Sequence, residues 1–159
     1  MSIDQGVVLL DGLPLHPLVI HLTVISVPLS VLMIFASLLV RRFRKYDYLT
    51  LSVSVVATVS AFLASLTGQN LETIIGVSDE HTTPGFLLAP VSTVTTVFFY
   101  LLILARRSPR TDLLANAVRG FFISVVTLSG AASVALTFIA GHSGAKASWG
   151  YLIESILGG

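Results

Sequence analysis

The 159-residue chain contains no cysteine. Disulfides, thiolate metal sites and cysteine nucleophiles are therefore excluded. Charge is scarce too. Asp, Glu, Lys and Arg together make up 11% of the residues, against about 25% in a soluble domain of ordinary composition. No basic arm interleaved with aromatics occurs, so nucleic acid is not an expected partner. The N-terminus MSIDQGVVLLDG lacks a basic n-region and carries Asp4 and Asp11. It does not read as a cleavable signal peptide, and the first apolar run is expected to act as an uncleaved signal-anchor. No serine or carboxylate pair has an evident base at useful spacing, so an enzyme is not expected.

What the chain does have is apolar length. It is 54% hydrophobic, with a mean hydropathy of +0.91. The apolar residues come in blocks rather than in a period of 2.0 or 3.6, which is the pattern of membrane spans. Four spans are expected, at about 16–40, 48–68, 84–105 and 115–140. Each can cross a hydrocarbon core of about 30 Å as a helix. Lipid offers backbone groups no partners, so helix is forced even on stretches rich in Val, Ile and Thr. Pro28 and Pro90 fall inside the first and third spans, where each removes a backbone donor and predicts a kink. The expected fold is all-α: a polytopic membrane protein, one domain over residues 1–159, built as a four-transmembrane-helix bundle.

Loop charge predicts orientation. Arg41, Arg42, Arg44 and Lys45 lie between spans one and two. Arg106, Arg107 and Arg110 lie between spans three and four, with Arg119 just beyond. Only Lys146, of nine basic residues, lies on the other side. By the positive-inside rule the basic loops are cytoplasmic, and both termini and the 69–83 loop face outward. Six of eight acidic residues (Asp4, Asp11, Glu72, Asp79, Glu80 and Glu154) then lie outside.

An offset of 65 residues also recurs. His16, Arg41, Arg42, Lys45 and Asp47 are matched by His81, Arg106, Arg107, Arg110 and Asp112. Any two inward hairpins would carry basic loops, which is one explanation. The other is a duplicated helical hairpin about an axis along the membrane normal. Both put His16 and His81 at one level.

All four histidines fall at the expected outward ends of three helices. His16 and His21 open span one, His81 precedes span three in HTTPG, and His142 ends span four. His21 lies five residues beyond His16, roughly 7.5 Å deeper and about 140° around the helix, so one helix alone is a poor chelator. Ahead of span three a threonine is expected to cap the helix, with Pro84 at its first position. His21 is expected to point into the bundle or a wet cavity, because polar groups in lipid are costly. The helix dipole favours neutral, ligand-competent imidazoles at His16 and His81. At His142 it favours the cation, which could pair with Glu72, Asp79 or Glu80. His21 and His81 are thus candidate central ligands, with His16 and His142 flanking and Glu72 as a carboxylate. Such a set suits zinc or copper, or haem b between two imidazoles. The plain alternative is hydrogen bonding to headgroups, caps and neighbouring helices.

Other features read as structure. SGAAS (Ser129 to Ser133) allows close helix approach. Trp149 and Tyr151 suit an interface, and residues 146–159 are expected to form a short amphipathic tail on the outer surface. Ser52, Ser54, Thr58 and Ser60, with Thr93, Thr95 and Thr96, could line a polar path or bond their own backbone.

GLPLHPLVIH (Gly12 to His21), TGQNLE (Thr67 to Glu72), His81 and GHSGAKASW (Gly141 to Trp149) resemble the bacterial domain-of-unknown-function family 2231, in its actinobacterial form. The resemblance covers nearly the whole chain and implies a four-helix protein of the bacterial inner membrane with outward histidine motifs. Gln69 stands where relatives often look acidic, and DEHTTPG departs from the usual stretch. Some relatives are fused or adjacent to redox modules, which implies respiration or metal handling. Two functions are therefore expected to compete. One is metal or haem binding at the outer histidines, in electron transfer or metal handling. The other is a non-catalytic accessory subunit of a larger membrane assembly, such as a respiratory complex, or of a homo-oligomer. A transporter ranks below both, since no carboxylate or arginine lies mid-span.

Overall fold

The computed structural model describes the backbone of residues 9–10, 13–75 and 79–157, and the side chains of 15–68, 82–146, 149 and 156. A two-residue antiparallel pair, β1 (Leu9–Leu10) and β2 (Leu13–Pro14), precedes the first helix. Among the described residues, everything after it is helical or loop: α1 (Leu15–Leu39), a 3₁₀ turn (Arg41–Tyr46), α2 (Asp47–Ile75), α3 (Asp79–Arg107) and α4 (Leu113–Leu157). Each helix packs against its chain neighbours, and α4 closes the bundle against α1. One end of the bundle collects Arg41 to Lys45, Arg106, Arg107, Arg110 and Arg119; His16 and His81 open α1 and α3 at the other.

Four stretches are long and apolar enough to span a membrane: Leu15–Leu39, Arg41–Gly68, Thr82–Arg107 and Leu113–Lys146. Even in the apolar core of the fourth, only 22% of the residues are buried within the bundle. The outward faces are apolar: Leu18, Leu22, Ile25, Leu29 and Leu32 form an exposed stripe on α1 at helical spacing. The inward face of the same helix carries Thr23, Ser26, Ser30 and Ser37 alongside Val27, Val31 and Ile34. Water would reject that arrangement. Lipid accepts it, because tails solvate leucine as well as a core does, and small polar residues let helices approach and bond. The chain is an integral membrane four-helix protein.

Two apolar clusters occupy the bundle axis. Val27, Ala57, Ala61, Leu88 and Ala89 pack toward the histidine end. Ile34, Phe99, Ile103 and Val126 pack toward the arginine end. Burial repeats with the offset seen in the charges. Thr23, Val27, Ser30, Ile34 and Ser37 of α1 and Leu88, Ser92, Thr95, Phe99 and Leu102 of α3 are all buried, each pair 65 residues apart.

Helix ends differ from expectation in three places. Helix α3 starts at Asp79, so His81 lies in its first turn and Pro84 inside it rather than at its start. Asp79 and Glu80 favour that early start, since acidic groups complement the positive end of a helix. Helix α2 continues to Ile75, past the expected 68. Helix α4 does not stop near 140 with a separate tail from 146; it runs unbroken to Leu157. Gly141, Gly144 and Gly150 each weaken a helix by about 1 kcal/mol, but no proline follows Pro109 to end it.

Candidate functional site at the histidine end

His16 lies in the first turn of α1, facing α2. Its Nδ1 sits 3.0 Å from Thr67 Oγ1. Thr67 spends its own proton on Leu63 O at 2.7 Å, so the imidazole Nδ1–H donates and the hydroxyl accepts. The ring lies close over Gly68, where a Cβ would stand 2.9 Å from His16 Cε1. Glycine at 68 thus makes room for the imidazole that joins α1 to α2, and TG in TGQNLE acquires a physical meaning.

His21 does not point into the bundle. It is exposed and shares the outward face of α1 with Leu18 and Ile25. Its Nδ1 lies 2.6 Å from Pro17 O, one turn back on its own helix. A carbonyl only accepts, so Nδ1 carries the proton and Nε2 is the acceptor of the neutral ring. The expectation of an inward His21 fails because positions 23, 26, 27 and 30 already take the inward face, and 21 falls on the opposite side. His142, on α4, is exposed as well and stacks on Phe138, with centroids 6.4 Å apart and planes 7° from parallel. Among the described residues, no three His, Asp or Glu side chains gather where they could hold a metal ion. The side chains of His81 and Glu72 lie outside the described residues.

A second polar site, at the arginine end, was not anticipated from the sequence. Asp47, in the first turn of α2, is buried. Arg106 Nη1 donates to Asp47 Oδ2 at 3.3 Å and to Ser37 Oγ at 3.0 Å, and Ser37 donates to Asp47 Oδ1 at 2.5 Å. Three helices meet in this triad. Nearby, Arg119 of α4 donates to Ala105 O, Ser108 O and Arg110 O at 2.9, 3.1 and 2.6 Å. It thereby satisfies one carbonyl in the last turn of α3, where the helix leaves its C=O groups without partners, and ties down two more in the loop that follows.

Between the two ends runs a seam of hydroxyls. Ser26 meets Ser60 across α1 and α2 at 3.3 Å, Thr58 meets Thr96 across α2 and α3 at 2.8 Å, and Thr95 donates to Ser129 across α3 and α4 at 2.9 Å. Ser52, Ser54 and Thr93 instead bond carbonyls of their own helices. Ser60 and Thr95 do both, bonding Ala57 O and Val91 O of their own helices as well as a neighbouring helix.

A family model described as "Predicted membrane protein (DUF2231)" matches residues 12–156. The chain belongs to that family. The match takes in α1 to α3 and all but the last residue of α4, with both sites described above. No curated protein and no solved structure matches this DUF2231 chain at a significant level.

Proposed function

We propose that this DUF2231 protein is a non-catalytic membrane subunit that docks against another membrane protein, or another copy of itself, through the outward face of α1 at its histidine end. The observation behind this reading is His21. It lies six residues into a membrane span, about 9 Å from the first residue of α1, on a face otherwise made of leucine and isoleucine. Ionisable residues within spans almost always face protein or a wet cavity, because lipid cannot satisfy them. A partner seated on this face would supply a donor for Nε2. The bacterial inner membrane, with the histidine end outward, is the location that the loop charges favour.

A second reading keeps the histidines as ligands of zinc, copper or haem, in metal handling or electron transfer. It is favoured by the tautomers, since at both His16 and His21 the Nδ1–H is engaged in a hydrogen bond. Anchoring one ring nitrogen in this way is how proteins orient a metal-binding imidazole. His21 would then complete its ligand set with groups outside the described residues, His81 and Glu72 among them, or on another chain.

One experiment separates the two. A photo-cross-linking residue is placed at His21 and, as a control, at the exposed lipid-facing Leu32, in cells. Docking predicts a discrete adduct of defined mass from position 21 and none from position 32. Equal, diffuse lipid labelling at both positions defeats the docking reading. Elemental analysis and an optical spectrum of the protein in mild detergent decide the ligand reading. Stoichiometric metal or a Soret band, lost in the His21→Ala, His81→Ala double variant, would establish it.

A further inference from the structure

At mid-bundle, between the two apolar clusters, the four helices leave a cavity of ≈ 10 Å³, about the space that one water molecule needs. Hydroxyl-bearing residues border it, Ser30 from α1, Ser54 and Thr58 from α2, Ser92, Thr95 and Thr96 from α3, and Ser133 from α4, though most of its accessible wall is carbon. Val27, Val31 and Ala57 complete it.

The protons of these hydroxyls can be assigned. Ser30, Ser54 and Ser133 donate to carbonyls of their own helices, Val27 O at 2.8 Å, Thr50 O at 2.9 Å and Ser129 O at 2.9 Å. Their oxygens keep lone pairs. Thr58 and Thr96 bond each other and the carbonyls of Ser92 and Ser54. Ser92 is different. It is 4% exposed, and among the described residues its Oγ has no hydrogen-bond partner. A buried hydroxyl left unpaired is costly, and the cost is higher where lipid rather than water surrounds the bundle.

We infer that one water molecule is bound in this cavity as a structural ligand. It accepts the Ser92 proton and donates to two of the oxygens of Ser30, Ser54 and Ser133. The accounting closes, because the cavity offers spare acceptors and one spare donor, and water needs both. A bare monovalent cation would fit the acceptors but not the Ser92 donor. It would also sit in a low-dielectric bundle without a carboxylate, since Asp47 lies at the arginine end beyond Ile34 and Phe99. The apolar clusters on either side make this an isolated hydration site rather than part of a continuous wire.

The test turns on the sign of a stability change. If the cavity is dry, Ser92→Ala deletes an unpaired hydroxyl and raises the unfolding temperature in mild detergent. If the cavity is hydrated, the same change removes one of the water's partners and lowers the temperature, by roughly 2–4 °C for a chain of this size. Ser52→Ala, at an exposed serine bonded to its own helix, is the reference for the intrinsic effect of Ser→Ala. A fall relative to that reference supports the bound water, and no fall or a rise overturns it. Water-edited solid-state NMR of the unmodified protein in lipid is the direct check. Transfer from water to Ser92 and Ser133 is expected, and its absence overturns the proposal whatever the variant does. An unfolding temperature that rises when sodium replaces a large organic cation at equal ionic strength would make the occupant an ion, and would overturn it too.

Discussion

At the scale of single residues, the polar groups of this protein do their work by position along a helix. Asp47 stands at the start of α2 and Arg106 near the end of α3. The negative charge therefore meets the positive end of one helix dipole and the positive charge the negative end of another. Ser37 fixes the geometry from α1. Asp47→Asn is expected to lower stability by about 1–3 kcal/mol, since Arg106 loses its charged acceptor. The figure stays below that for a fully sequestered pair because an arginine this close to a span end can snorkel to water. Reversing both charges, Asp47→Arg with Arg106→Asp, restores the ion pair but places each charge at the wrong helix end. The double variant should stay at least as unstable as Asp47→Asn. Thermal unfolding of the three proteins in one detergent checks this, and recovery in the reversed pair would mean that only the pairing matters.

At the scale of elements, the limits of sequence reading have identifiable causes. The four spans were legible because lipid imposes a length and an apolar composition that no loop here imitates. Helix ends were not. TTPG looks like a helix start, yet Asp79 and Glu80 begin α3 earlier, and the fourth span was expected to end by His142 although nothing after it forbids a helix. The facing of a side chain was also hidden. Both His16 and His21 belong to GLPLHPLVIH, and only the packing of α1 on α2 and α4 decides that one joins a neighbour while the other faces out. The Asp47–Arg106 pair escaped notice because its members are 59 residues apart and each sits within a run of ordinary loop charge. Arg119 was read the same way, as one more positive-inside residue, though it closes the end of α3. Arg119→Ala should cost about 1–2 kcal/mol, since three carbonyls lose a charged donor near water that can partly replace it. The loss should be local. Amide exchange is expected to quicken across residues 105–112 and to stay unchanged through α1 and α2. Arg119→Lys, a point charge without the guanidinium fork, should recover only part of the protection.

At the scale of the whole molecule, the distribution of residues is that of a body solvated by hydrocarbon. Serine and threonine share the interior with two apolar clusters, leucine and isoleucine cover the outside, and charge gathers at the ends. Cross-helix hydroxyl bonds in such bundles contribute only about 0.6 kcal/mol each on average. Cohesion therefore rests on the several seams together with close packing at small residues, such as Gly130 against Val31 and Thr95. The asymmetry of charge then becomes a statement about direction. Eight basic residues at one end would have to cross the bilayer if that end faced out, against the bias that governs insertion. With no cysteine in the chain, introduced thiols can be read without background. Lys146→Cys, exposed and 33 residues along α4 from its start, should react with a membrane-impermeant maleimide in intact cells. Thr111→Cys, exposed between α3 and α4, should react only after the membrane is opened. The opposite pattern would place the histidine end in the cytoplasm. Any partner on the His21 face would then have to present its contacts at the inner leaflet, and any metal or haem held there would be drawn from the cytoplasmic pool.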